Sequence, residues 1–150
     1  MDAQLLGPTL VKTVEKSFQL LRDRLDDERS AKSPAPGKWS PKQLIGHLID
    51  SASNNHQRFV RANFKDDLCF PGYRQEEWVT LQDYQHSSWQ ELLELWRSFN
   101  LLIAQVMQQT PEEKLEKSRT EHDLDKIAFF RVPPDQPVTL AYFMEDYIKH

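Results

Sequence analysis

His47, Asp50, Ser51, Asn54 and Arg58 recur at helical intervals. On a helix they bring an imidazole, a carboxylate, an amide and a guanidinium onto one stripe. Such a stripe is either the wet face of a surface helix or a site. Read as a site, Asp50 can orient a ligand or accept a proton, and Arg58 can hold an anionic substrate group.

The element that must carry these residues is legible from its first turn, in "GKWSPKQLIGHLID", residues 37–50. Ser40 can accept from a free first-turn amide, Pro41 brings a preset φ to a position whose N–H would be unpaired anyway, and Gln43 completes a capping-box spacing. Leu44, Leu48, Ala52 and Phe59 give the opposite side an apolar pattern expected to pack on partner helices. The helix is predicted from Pro41 to about Phe64.

Three further helical patterns flank it. Val11, Val14, Phe18, Leu21 and Leu25 alternate steps of three and four after Pro8, before "DDERSAKSPAPGK" breaks the pattern. In "HSSWQELLELW", Ser88 and Glu91 stand in capping-box spacing. Trp89, Leu92, Trp96, Phe99, Ile103 and Val106 then form the strongest stripe of the chain, ending near Thr110-Pro111. The last pattern starts near Thr139 with Leu140, Phe143, Tyr147 and Ile148. It is still running there with no glycine or proline to stop it, as expected of a shortened chain, although Lys149 and His150 also suit a helix C-terminus.

No segment alternates with period two, so four amphipathic helices imply an all-α bundle, a single domain over residues 1–150. Residues 65–87 and 111–137 are too long for the short links of an up-down-up-down bundle, so at least one long crossover is expected. In the first of them, "CFPGYRQEEW" offers a Pro71-Gly72 turn, with Tyr73 and Trp78 read as loop anchors.

Composition narrows the function classes. A net charge of −4 argues against a sequence-independent grip on nucleic acid. The single cysteine, Cys69, excludes an internal disulfide and multi-cysteine metal sites. No apolar run approaches the ~20 residues of a membrane span, and the N-terminus lacks the pattern of a signal peptide, so a soluble, cytoplasmic protein is expected.

"GKWSPKQLIGHLID", "FPGYRQEEW", "SWQELLELWRSFN" and "TLAYFMEDYIKH", in that order, resemble the DinB-like superfamily of bacterial four-helix proteins, which includes the bacillithiol-transferase type. The most specific part is Trp39, Ser40 and Pro41 followed by His47, Leu48 and Asp50. The resemblance implies an up-down-down-up four-helix bundle, often a homodimer, with a divalent metal held by three histidines. One maps onto His47 and the first of a later His-x-x-x-His pair onto His150; the third has no counterpart in this sequence.

What that resemblance implies chemically follows from imidazole. Three neutral imidazoles hold zinc, nickel or a related ion and leave a coordination position open. An open position supports either hydrolysis or S-transfer from a small-molecule thiol to an electrophile. Asp50, Asn54 and Arg58 would extend from the metal along the same groove as a substrate pocket. The competing reading is a metal-free bundle that serves as a binding or interaction module. His56, His86, His122 and Cys69 are weaker candidates: His56 falls nearly opposite His47, His86 and His122 read as plain surface, and no base or positive group stands near Cys69 in sequence.

Overall fold

The computed structural model describes residues 1–150. Its helices are α1 (Leu6–Arg24), α2 (Asp27–Ser30), α3 (Pro41–Ala62), α4 (Gln75–Leu81), α5 (Trp89–Gln109), α6 (Glu112–Glu116), α7 (Leu124–Ile127) and α8 (Leu140–Lys149). The four long ones, α1, α3, α5 and α8, correspond to the four sequence patterns. Helix α1 starts before Pro8, because a first turn can hold proline without losing a hydrogen bond. The α3 start carries both halves of the capping box, with the Gln43 amide on Ser40 Oγ at 3.3 Å and the Ser40 amide on Gln43 Oε1 at 3.0 Å.

Contacts at the helix ends fix the topology. The start of α1 lies on the end of α5, where a Cβ on Gly7 would stand 2.9 Å from the Ala104 carbonyl oxygen, so the two run antiparallel. The ends of α3 and α5 meet through Asn63 Nδ2, which donates to Thr110 Oγ1 at 3.3 Å, so these two run parallel. The end of α8 reaches the first half of α3 through His150 and Ser51, so α8 runs back. The order is up-down-down-up. Helix α1 packs on α5 and α8, and α3 packs on the same two.

A parallel α3–α5 pair forces the intervening chain to travel the bundle length, about 33 Å for the 22 residues of α3. The gap at 65–87 makes that journey. The crossover carries α4, and it pairs with the second long gap through Leu68, whose amide donates to the Glu121 carbonyl while its own carbonyl accepts from the Asp123 amide (3.0 and 3.1 Å). Arg119 and Val138 exchange a further pair of backbone bonds at 2.8 and 3.0 Å. These bridges hold both crossovers against one flank of the bundle.

The main core gathers Phe59, Ile103, Phe143 and Leu140 with Leu6 and Leu10; a second group joins Ile45 and Ile49 to Trp89, Leu92 and Tyr84. The apolar face of α3 therefore differs from the expected one. Ile45 and Ile49 are buried while Leu44 is 49% exposed, since the α3 surface facing the partners is rotated toward Ile45 and toward the polar stripe itself. No helix is long and apolar enough to cross a membrane.

Candidate functional site

The polar stripe of α3 is not a wet face. His47, Asp50, Ser51 and Arg58 are all buried, Asp50 to 2% exposure. Burial of so many polar groups demands partners, and the first crossover supplies some of them. Asp50 Oδ1 accepts from the Tyr84 hydroxyl at 2.7 Å and from Gln82 Nε2 at 2.9 Å. Gly46 makes room for this arrangement, because any Cβ there would stand 2.0 Å from the Tyr84 ring. Two buried atoms of the same cluster have no partner: Asp50 Oδ2 and His47 Nδ1.

His150, which caps the end of α8, meets His47 edge to face with ring centroids 5.9 Å apart, and its Nδ1 lies 3.5 Å from Ser51 Oγ. Burial, then the charge His150 would carry, push the pKa of His47 below the ordinary imidazole value, against the opposing pull of Asp50. His150 is exposed as a residue, yet the partial burial of its ring pushes it down as well, against Asp146. Both imidazoles thus favour the neutral form, which has the lone pair a metal requires.

Beside this pair opens a cleft of about 270 Å³, lined by Ser51, Asn55 and Arg58 of α3, Tyr73 of the first crossover, Lys126, Phe129 and Arg131 of the second, and Asp146 of α8. Asp146 is committed to building the wall: its two oxygens accept from the Phe129 and Phe130 amides at 2.7 and 2.6 Å. Tyr73 stacks at a tilt on Trp78, with ring centroids 4.8 Å apart, a contact within the crossover, and it faces the cleft alongside residues of α3. Its phenol is pushed up to about 12, first by burial and then by Asp50.

Of the residues expected to form the site, His47 and His150 meet, Asp50 is buried on the helix of His47 without lining the cleft, and Arg58 lines the cleft with His150. Asn54 does not join them. It is half-buried, and its amide donates to the Asp50 carbonyl of its own helix at 2.9 Å, leaving Asn55 to line the cleft. Asn55 and Asp146 had a signal in the sequence, standing four residues after Ser51 and four before His150. Tyr84, Gln82, Lys126 and Arg131 had none, since only tertiary contact brings them in.

The weaker candidates stand apart. His56 packs on Phe99, and His86 is an exposed partner of Asp83. His122 corrects the surface reading. It is buried, its Nδ1 accepts from the Leu124 amide at 3.1 Å and its Nε2 lies 2.7 Å from the Gln136 carbonyl, so a neutral ring protonated on Nε2 knits the second crossover. Burial and the neighbouring Asp123, Asp67 and Glu121 push the Cys69 thiol up, the reverse of an activated nucleophile.

The sequence pattern of the DinB superfamily matches residues 10–150. The chain belongs to the DinB superfamily. Two curated relatives in Oceanobacillus iheyensis are each named "Putative metal-dependent hydrolase". One is 28% identical over 94 residues, 63% of this chain and 54% of its own length; the other is 30% identical over 77 residues, 49% and 45%. The chain thus spans about half the length of the curated relatives it matches. Among solved structures, YfiT from Bacillus subtilis superposes with a TM-score of 0.73 at 16% identity, over 97% of this chain and 77% of YfiT. YfiT is described as "a probable metal-dependent hydrolase with an unusual four-helix bundle topology". At that identity the likeness shows the fold, and the up-down-down-up order derived above agrees with it.

The chain's own residues fit a metal in part. His47 and His150 face one another, and the buried His47 Nδ1 lacks a protein partner, as a donor reserved for a ligand would. No group of three His, Cys, Asp or Glu side chains comes together anywhere in the chain, so two donors of the expected three are present.

Proposed function

We propose that this DinB-superfamily chain carries part of the site of a divalent-metal-dependent enzyme acting on a small molecule. His47 and His150 are the two metal ligands it contributes, zinc or nickel being the ions suited to imidazole. The observation that carries this reading is the convergence of those two rings, from opposite ends of the sequence, beside a cleft and in surroundings that keep them neutral. The names of the curated relatives favour hydrolysis, and thiol-dependent S-transfer is the alternative chemistry for the same ligands. When bound, an ion with an open position supplies an activated water or a held thiolate. Toward that chemistry, Tyr84 and Gln82 hold Asp50 through Oδ1. That leaves the buried Oδ2 free to orient His47.

Metal content per chain tests the reading. It should be measured by elemental analysis on this chain, on the longest form its gene encodes and on His47→Ala. Near one ion per chain, lost in the variant, is the expected result. A second reading, a metal-free bundle acting as a binding or interaction module, is favoured by the missing third donor. It expects no ion in any form and unchanged behaviour of His47→Ala.

A further inference from the structure

Arg58 is 5% exposed, yet no carboxylate meets it. Its Nη1 donates to Asn55 Oδ1 at 3.3 Å and its Nη2 to the Pro71 carbonyl at 2.9 Å, both neutral acceptors. A guanidinium taken out of water against neutral groups alone is costly unless an anion completes its surroundings. Lys126 and Arg131, which line the same cleft from the second crossover, are exposed and also lack an acidic partner. The carboxylate in the lining, Asp146, has both oxygens occupied by backbone amides, and Asp50 behind the wall is held by Tyr84 and Gln82. In a molecule of net charge −4, this cleft has the opposite sign. Tyr73, kept protonated, adds an O–H donor and no negative charge.

We infer that the cleft binds the anionic end of a small-molecule substrate, a carboxylate or a phosphate ester, on Arg58, with Lys126 and Arg131 at its rim. This rests on the reading of the cleft as a substrate site, and it adds the class of molecule. The planar fork of Arg58 suits either oxyanion. Along α3, Arg58 stands about 10 Å below Ser51, the neighbour of His150, at 1.5 Å per residue. The substrate's anionic group and the bond that reacts near the histidines are therefore several bonds apart.

The test is a titration of the purified chain with acetate, inorganic phosphate and, as the uncharged control, acetamide, following the backbone amide resonances of Ser51, Asn55, Gly72 and Tyr73. Acetate or phosphate, but not acetamide, should shift them, and whichever anion binds more tightly names the source of the charge. Arg58→Ala should weaken binding about tenfold or more, and the Lys126→Ala/Arg131→Ala pair, at exposed positions that do not threaten folding, about threefold to tenfold. His47→Ala should retain binding, which separates this site from the metal: an absent metal with intact anion binding removes only the metal reading. Binding lost in His47→Ala and kept in Arg58→Ala places the anion on the metal and overturns the inference. So does binding that the rim pair leaves unchanged, whatever Arg58→Ala does to the fold.

Discussion

Asp50 shows how a single side chain gathers a site. Its Oδ1 holds Tyr84 and Gln82 from the first crossover, and its helix leaves room for the Tyr84 ring only because position 46 is glycine. Tyr84→Phe removes one buried bond to a carboxylate and should cost about 1–3 kcal/mol in urea unfolding. Gly46→Ala adds a methyl where the ring stands and should cost a similar ~1–3 kcal/mol by overpacking, even though alanine is the better helix former. If Gly46→Ala proves stabilising, the Tyr84 ring is not held where the structure puts it, and the support of Asp50 needs another account.

At the scale of elements, Asp27 joins three helices. It begins α2, receives the Trp89 amide at the start of α5 at 2.9 Å and pairs with the buried Lys42 of α3 at 3.0 Å. The Trp89 amide first, and Lys42 next, hold its carboxyl below the ordinary value of 3.8. A depressed carboxyl binds more protons unfolded than folded. Its stabilisation is therefore fully present above pH 3.8 and drains away as pH falls below that value. Asp27→Asn should lower the melting temperature at pH 7, and the gap to the natural chain should close as pH drops below 3.8; a gap that stays constant would mean the charge contributes nothing. Ser40→Ala removes the cap of α3 and should cost about 1 kcal/mol, read by the same melts.

Over the whole molecule, the parallel α3–α5 pair is the feature from which the site follows. One long crossover must run the length of the bundle, and the second long connection pairs with it through Leu68; between them they deliver Tyr73, Tyr84, Lys126 and Arg131 to the stripe of α3. Phe59 ties that stripe's helix to α8, lying edge to face on Phe143 and Tyr147 with centroids 5.4 and 5.8 Å away and no exposed surface. Phe59→Ala should cost about 3–5 kcal/mol and lower the midpoint of a single cooperative transition measured by circular dichroism. The homodimer implied by the superfamily belongs to this scale too. Sedimentation velocity is expected to show it, and monomer at all concentrations would remove it.

The sequence by itself determined the four long helices, the serine caps of α3 and α5 and the bundle class, because capping, turn chemistry and 3.6-residue periodicity act within a few residues. It also placed His47 on the polar stripe of α3. Only tertiary structure decided that the polar stripe turns inward, that His150 meets His47, that Asn55 replaces Asn54 in the cleft and that His122 is buried. Each of those depends on how far a helix is rotated about its axis or on which loop lies against it. Both are set by packing between residues distant in sequence, where local pattern has no reach.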